Sequence, residues 1–301
     1  MSQKINKKPL QKQFSYDPIE DNEAAQKRGL FDPIGDRDHE IFPGFIHRYE
    51  NRVLFLPTQK CVVNCRFCFR KNLLPEHKKP PFKKILAYIK KHKEVQEFIF
   101  SGGDPFTLSA EEIDSYLKEL SKTQVRFVRF HTRVPVMAPH LLTPTFVGVL
   151  KKWAKHYTTV TVAIHSNHKD ELSPKARAGI KKLQGLNLIS QTVLLKGIND
   201  NAQTLAELFL EFVGLGIRPY YLHHADRVKG AMHFALTIPQ GRKIYGALRD
   251  LLPGWAIPHY VLDIPGGKGK TPLYNPEAYA FSGKLLAKNG KLVLTEHAQD
   301  D

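Results

Sequence analysis

The sequence predicts an α/β fold in which parallel βα units form an incomplete barrel. Short β-rich runs alternate with helical stretches of about 12 to 16 residues, which is the pattern of a parallel βαβ sheet. The chain has 301 residues, 42% of them hydrophobic, so it can bury one large core. Barrels built from β/α units commonly occupy this length as a single domain.

Seven predicted strands and six intervening helices span residues 52–263. The predicted strands cover residues 52–57, 97–101, 125–131, 159–165, 188–195, 218–223 and 257–263. The predicted helices cover residues 82–92, 110–121, 145–156, 174–183, 202–214 and 239–251. Together these elements give six βα units and a closing strand, an incomplete (β/α)6-type barrel.

Several predicted helices carry recognisable end signals. Ser109 and Glu112 have the spacing of a capping box, and Pro174 stands at the first position of its helix. Gly216 and Gly254 lie just beyond helical patterns, where a left-handed residue is expected.

The chain divides into three predicted parts. Residues 1–45 combine several prolines with many charges, which indicates an extension that wraps the barrel or a partner subunit. Residues 46–275 form the barrel, and residues 276–301 form a C-terminal tail.

Composition narrows the class of protein. No run of about 18 apolar residues is present, so we expect no membrane span, and the basic N-terminus lacks the apolar region of a secretory signal. Free thiols indicate the cytoplasm. The net charge of +16 favours an acidic partner, either a protein or a nucleic acid, although a solvated basic helix face also explains such charge.

The three cysteines of the chain occur in one run, CVVNCRFC, directly after the first predicted strand. Cys61, Cys65 and Cys68 have C-x3-C-x2-C spacing. Structural zinc usually takes four protein ligands, and a disulfide framework prefers an even number of cysteines. Three thiolates on one loop instead suit a 4Fe-4S cluster that keeps one iron open to a ligand.

A second motif, Ser-Gly-Gly-Asp-Pro, follows the second predicted strand. In a β/α barrel, functional groups gather at the C-terminal ends of the strands, so this motif should lie near the cysteine run. Gly102 and Gly103 allow the backbone to approach a ligand, and the Asp104 carboxylate can accept hydrogen bonds from an ammonium group. On local sequence alone, a simple turn is the commoner explanation of the stretch.

A third motif, LDIPGGKGKTP, follows the last predicted strand. A lysine in a flexible glycine-lined loop can reach into a barrel mouth and form an imine with a carbonyl compound if its pKa is lowered. Lys268 and Lys270 both qualify, and an exposed glycine-lysine loop is the simpler local explanation.

Considered in order, these motifs resemble the lysine 2,3-aminomutase family of radical S-adenosylmethionine (SAM) enzymes. The family implies an isomerase that uses SAM, a 4Fe-4S cluster and pyridoxal phosphate (PLP) on an incomplete barrel to convert L-lysine to β-lysine. The segments that carry the resemblance are residues 47–56, 61–71, 100–106, 191–200, 218–234 and 262–273.

The resemblance also implies a role for each motif residue. Gly102, Gly103 and Asp104 would bind SAM at the open iron of the cysteine-held cluster. Lys270 would carry PLP, with Arg48, Arg52 and Arg133 at its phosphate. Arg70 would bind the carboxylate of the amino-acid substrate, and Asp226 with Asp263 would bind its distal ammonium group.

The resemblance also has implications for partners, and alternative functions are compatible with the sequence. The family implies a flavodoxin- or ferredoxin-type reductant and leaves a homo-oligomer open. Lys268 interrupts the glycine run typical of the family, and no cysteine follows the loop, so we expect no zinc. A shorter branch of the family serves elongation factor P modification, which is an alternative role. A noncatalytic basic iron-sulfur protein that binds nucleic acid is a more remote one.

Overall fold

The main sheet follows chain order from edge to edge. A computed structural model of the chain describes residues 9–74, 81–274, 284–286 and 292–294. The ten strands of this sheet pair in the order of the sequence, and the sheet does not close. They are β1 (Glu40–Phe42), β2 (Phe45–Tyr49), β3 (Arg52–Phe55), β4 (Glu97–Phe100), β5 (Phe127–Thr132), β6 (Thr159–His165), β7 (Asn187–Leu194), β8 (Arg218–His224), β9 (His259–Ile264) and β10 (Gly269–Pro272).

Strands β3 to β9 run parallel, and one long helix connects each consecutive pair. The predicted α/β fold of six βα units and a closing strand is therefore confirmed. The helices of the described residues are α1 (Pro9–Lys12), α2 (Glu23–Gln26), α3 (Phe82–Lys91), α4 (Ala110–Leu120), α5 (Val134–Met137), α6 (Pro144–Ala154), α7 (Pro174–Lys182), α8 (Ala202–Gly214) and α9 (Ile238–Leu251). None of these helices is long and apolar enough to cross a membrane.

The predicted helix ends are mostly confirmed. Ser109 Oγ accepts a hydrogen bond from the Glu112 amide, and the Glu112 carboxylate accepts one from the Ser109 amide. Gly216 adopts a φ of 74° directly after α8. The prediction for Gly254 is wrong: it begins the short 3-10 turn Gly254–Ala256, because α9 ends at Leu251 and the backbone of the next residue, Leu252, is already extended.

Three strands of the main sheet were missing from the predicted set. Strands β1 and β2 precede the first parallel strand, and β1 lies within the residues assigned to the N-terminal extension. Tyr49 pairs with Arg52 across a two-residue turn, so β2 and β3 form a hairpin that the sequence could have revealed. Strand β10 occupies part of the lysine loop and pairs antiparallel with β9 at the sheet edge, where Pro272 is tolerated.

The two faces of the parallel sheet differ in chemistry. On β5, Val128 and Phe130 are fully buried in the core that also contains apolar residues of the surrounding helices. Arg129 and His131 alternate with them and line a cavity inside the barrel. The barrel interior is therefore a polar site, whereas the apolar core lies between sheet and helices.

The N-terminal segment crosses the mouth of the barrel. The Gln13 side chain donates to Glu171 at 3.0 Å, and the buried Gln26 side chain accepts from the Gly230 amide at 2.9 Å. Leu30 bridges in parallel to Val228. Of the C-terminal tail, the structure describes only a hairpin of β11 (Lys284–Leu286) and β12 (Leu292–Leu294), and the rest lies outside the described residues.

Candidate active site

One cavity of about 280 Å³ lies at the C-terminal ends of the parallel strands. Every site residue singled out in the sequence lines it, apart from the alternative lysine Lys268, which is exposed. Sequence positions from 48 to 270 are thus brought to one place. These residues are Arg48, Arg52, Cys61, Cys65, Cys68, Arg70, Gly102, Gly103, Asp104, Arg133, Asp226, Asp263 and Lys270.

The cysteine-bearing loop is braced by the glycine motif. The Gly103 amide donates to the Thr58 carbonyl at 2.8 Å, and the Asp104 amide donates to the Lys60 carbonyl at 2.7 Å. A Cβ atom on Gly102 would lie 2.7 Å from the Thr58 oxygen, and one on Gly103 would overlap the Lys60 carbonyl. The glycines are therefore required for close packing of two backbones, in addition to facing the cavity.

The Asp104 carboxylate is fully used within the protein. Its Oδ1 accepts hydrogen bonds from the Phe106 amide at 3.0 Å and from Thr132 Oγ1 at 2.7 Å. Its Oδ2 accepts from the Arg133 and Val134 amides at 2.7 and 3.2 Å. These four bonds match the acceptor capacity of a carboxylate and tie the β4 loop to the end of β5. Direct binding of a SAM ammonium group by Asp104 stays a prediction.

The three thiols face the cavity in a mutually repulsive environment. Desolvation, followed by the charges of the other cysteines and Asp104, raises the pKa of Cys61 to about 12. Burial and the neighbouring Cys65 raise the pKa of Cys68 to about 11. No three His, Cys, Asp or Glu side chains among the described residues converge on a single metal ion. A 4Fe-4S cluster needs no such convergence, because each thiolate binds a different iron, so the donor set fits this group.

Arg133 contacts the cysteine loop directly. Its Nη1 donates to Cys65 Sγ at 2.9 Å, and its Nη2 pairs with the buried Glu171. Despite burial, the charges of Cys65 and Glu171 raise the pKa of Arg133. Both terminal nitrogens are therefore engaged on the cysteine side of the cavity.

Arg48 and Arg70 lie on another wall and share a carboxylate. Arg48 Nη2 and Arg70 Nε each donate to Asp36 at 2.8 Å. Arg52 lies nearby with its guanidinium carbon 3.7 Å from the centre of the Tyr49 ring. Asp36 is only 2% exposed and was missed in the sequence, where nothing distinguishes it from the acidic residues around it.

Lys270 lies on β10 directly opposite Asp263 on β9. Its Nζ donates to Asp263 Oδ2 at 2.6 Å. Burial opposes ionisation of Asp263, but the charge of Lys270 and its hydrogen bond outweigh it and lower the pKa of Asp263. The expectation of a flexible loop is corrected at this position, since register with β9 directs Lys270 into the cavity.

Asp226 is a second carboxyl group in this part of the cavity. Burial and then the negative charge of Asp263 raise the pKa of Asp226 to about 8. The ligand-free site therefore holds one ionised and one protonated carboxyl group near neutral pH. A cation that binds between them would allow both to ionise.

Neutral histidines complete the inner wall. Burial lowers the pKa of His131 and His165 well below the usual value, and burial with Lys270 lowers that of His223 to about 3. His131 was missed as a site residue, although it occupies an inward position of a predicted strand. The period-2 pattern of a strand, combined with a polar residue among apolar neighbours, was the available signal.

Known proteins match the chain over most of its length. A model of the radical SAM superfamily matches residues 55–209. A putative L-lysine 2,3-aminomutase of Aquifex aeolicus is 36% identical over 89% of this chain and 73% of the relative. The L-lysine 2,3-aminomutase of Escherichia coli is 36% identical over 80% of this chain and 71% of the relative.

Two further comparisons agree with this pattern. The L-lysine 2,3-aminomutase of Methanococcus maripaludis is 33% identical over 96% of this chain and 69% of the relative. Among solved structures, Streptococcus suis SuiB bound to precursor peptide SuiA superimposes with a TM-score of 0.50 at 15% identity. That match covers 71% of this chain and 47% of the other, and it supports the fold alone.

Proposed function

Because the chain belongs to the lysine 2,3-aminomutase family of radical SAM enzymes, we propose that it converts L-lysine to β-lysine by moving the amino group from carbon 2 to carbon 3. The enzyme is an isomerase that uses a 4Fe-4S cluster, SAM and PLP. When bound, the cluster and SAM supply the one-electron chemistry that creates a carbon radical, and PLP supplies a carbonyl that binds the migrating nitrogen.

The contact between Lys270 and Asp263 is the observation that carries the substrate assignment. The Lys270 ammonium, held at 2.6 Å, is chemically the same group as the distal ammonium of free lysine. Asp263 therefore has a geometry suited to an alkylammonium ion, and its Oδ1 has no hydrogen-bond partner in the described structure. When Lys270 carries PLP, its place beside Asp263 becomes available to the substrate.

Asp226 strengthens the preference for a cationic side chain. Its raised pKa reflects an environment that penalises a second negative charge. A substrate ammonium would relieve this penalty, whereas the carboxylate of glutamate would add to it. The pair therefore selects lysine over acidic amino acids.

The arginines of the cavity are suited to the anionic groups of the substrate and of PLP. Arg70 keeps terminal N–H groups for the substrate carboxylate, because Asp36 engages it through Nε. We assign Arg48 and Arg52 to the PLP phosphate, since guanidinium groups make planar contacts with phosphate oxygens. The contacts of Arg133 with Cys65 and Glu171 favour a role at the cysteine loop over one at the phosphate.

The covered mouth protects the reaction from water. Buried residues of the N-terminal segment, such as Ile34, line the cavity together with Ile46 and Phe67. Radicals react with stray hydrogen donors, so enclosure of the substrate favours return of hydrogen at the intended carbon.

We further propose a reductant, a pathway and a cellular compartment for the enzyme. A net charge of +16 supports docking of an acidic flavodoxin- or ferredoxin-type reductant. Free thiols support a cytoplasmic location. The product would serve either β-lysine metabolism or elongation factor P modification, and the neighbouring genes would distinguish the two roles. A sizing measurement would establish whether the protein forms a homo-oligomer.

Anaerobic reconstitution tests the proposed function. The protein is loaded with iron, sulfide, PLP and SAM, reduced, and incubated with L-lysine or, as the control, L-glutamate. We expect β-lysine from lysine and no β-glutamate from glutamate. Absence of β-lysine from fully loaded protein, or equal turnover of both amino acids, would contradict the proposal.

A further inference from the structure

Asp36 belongs to the N-terminal segment but makes its main contacts inside the active site. Its Oδ1 accepts a hydrogen bond from Arg48 Nη2, and its Oδ2 accepts one from Arg70 Nε, both at 2.8 Å. All three side chains are at least nine-tenths buried. Buried ion pairs are only weakly screened by salt, and removal of one partner leaves an uncompensated charge.

The backbone around Asp36 is fixed independently of the two arginines. Asp32 accepts hydrogen bonds from the amides of Asp36 and Arg37 at 3.0 and 2.9 Å. Gly35 has a φ of 68°, and a Cβ atom there would lie 2.8 Å from the Gly266 carbonyl carbon. The backbone that carries the Asp36 carboxylate is thus packed against the turn that precedes Lys270.

The shared carboxylate leaves one terminal nitrogen of each arginine without a hydrogen bond in the described structure. Arg70 Nη1 makes one hydrogen bond of 3.2 Å to Ser101 Oγ, and Nη2 makes none in the described structure. Arg48 Nε is buried without a hydrogen-bond partner among the described residues, and Nη1 lies 4.0 Å from Asp263. Asp36 therefore orients each guanidinium through one nitrogen without using up its capacity for an anion.

We propose that Asp36 is a positioning residue of the reaction, one that fixes Arg48 and Arg70 relative to each other. This inference rests on the proposed function, in which Arg48 holds the phosphate of the cofactor and Arg70 holds the substrate carboxylate. Two adjacent guanidinium groups repel each other, and the intervening carboxylate offsets that repulsion. The distance between cofactor and substrate is then set by a residue outside the matched radical SAM segment, residues 55–209.

The variant Asp36→Asn tests the proposal, with Asp38→Asn on the exposed side of the same turn as the matched control. Asparagine can accept a bond from one arginine but presents an NH2 group to the other. We expect the KM for L-lysine to rise about tenfold or more and the Kd for PLP to rise as well, with cluster content unchanged. Asp38→Asn should leave both constants within about twofold.

A double-variant cycle separates positioning from general damage to the fold. If Asp36 acts through Arg70, Asp36→Asn should add nothing to the KM for lysine in an Arg70→Lys background. Additive effects, or wild-type KM and Kd in Asp36→Asn, would overturn the proposal. Should Asp36→Asn fail to fold, the same cycle is run with Asp36→Glu, which keeps the charge and moves it by one methylene group.

The Kd for PLP also distinguishes the two proposals. It is measured without turnover, by absorbance titration of protein that lacks PLP. If the wild-type protein fails to convert lysine, the proposed function is wrong, while a weakened Kd in Asp36→Asn still supports the link to Arg48. If the wild-type protein makes β-lysine and Asp36→Asn behaves like Asp38→Asn, only the positioning role is wrong.

Discussion

The two sides of the cavity use buried carboxylates in opposite ways. On the cysteine side, Asp104 accepts four hydrogen bonds from the protein and has no acceptor capacity left. On the lysine side, Asp263 Oδ1 has no hydrogen-bond partner in the described structure, and Asp226 carries a pKa raised by burial and by Asp263. The Asp104 carboxylate is therefore saturated by the protein, whereas the Asp263 carboxylate keeps unused acceptor capacity.

The same contrast holds for the backbone. The cysteine loop is fixed by amide–carbonyl bonds to the segment at Gly102 and Gly103, so its geometry does not depend on side-chain charges. Lys270 is positioned by strand pairing, but its amine is held by a single ion pair with Asp263. The cysteine side is therefore fixed by backbone contacts, whereas on the proposed function Lys270 would leave Asp263 when PLP binds.

Loss of a cysteine should have the largest effect on activity. That effect should be confined to the cysteine side of the cavity. We expect Cys65→Ala to abolish the broad iron-sulfur absorbance and all reductive SAM cleavage, because the cluster loses one of three thiolates. The PLP adduct trapped on Lys270 by borohydride should remain. Asn64→Ala, an exposed neighbour, is the control. SAM cleavage by Cys65→Ala would rule out the cluster assignment.

Loss of the lysine should give the reciprocal result. In anaerobically purified protein, Lys270→Ala should lose the PLP absorbance and the trapped adduct while iron content stays at the wild-type level. Lys268→Ala should keep both signals, because Lys268 is exposed and does not line the cavity. An adduct that peptide mapping assigns to Lys268 would show that the wrong lysine has been chosen.

Replacement of the saturated carboxylate should reduce stability. Asp104→Asn removes an acceptor and leaves buried backbone amides without partners, so the free energy of unfolding should fall by about 3 kcal/mol. Asp250→Asn, at an exposed site on α9, should change it by less than about 0.5 kcal/mol. Urea denaturation of the cofactor-free proteins measures both values. Equal stability of the two variants would mean that the four hydrogen bonds do not matter.

The smallest effect concerns the pH dependence of the lysine side. The pKa of Asp226 is about 8 in the folded chain, above its ordinary value, so the folded state binds more protons between about pH 4 and 8. Stability of the ligand-free protein should therefore decline as pH rises through this range. Relative to Asp226→Asn, the wild type should lose about 1 kcal/mol or more between pH 5.5 and 8.5. Parallel stability curves for the two proteins would refute the raised pKa.

Much of the architecture followed from patterns local to the sequence. The alternation of strands and helices predicted all seven parallel strands, because each βα unit repeats the same two periodicities. Motif spacing also placed Cys61, Asp104 and Lys270 at strand ends, where barrel topology brings them together. The preference for Lys270 over Lys268 is supported by their positions, because Lys270 lies on β10 opposite Asp263 and lines the cavity, whereas Lys268 precedes the strand and is exposed.

Other features depend on contacts that no local pattern records. Asp36 contacts Arg70, which lies 34 positions further along the chain, and the acidic residues around Asp36 look the same in the sequence. The four bonds of Asp104 come partly from the end of β5, so its saturation was not visible from its own motif. Strand β10 was hidden by its glycines and Pro272, which are poor strand formers except at an edge.

The N-terminal segment that crosses the barrel mouth also constrains the order in which contacts form during synthesis. Gln26 leaves the ribosome early, but its partner Gly230 follows 204 positions later. That closure cannot form until most of the barrel has been translated, and long-range contacts form slowly in any case. The cysteine loop is complete at residue 68, so it leaves the ribosome well before Gly230 is available to bind Gln26.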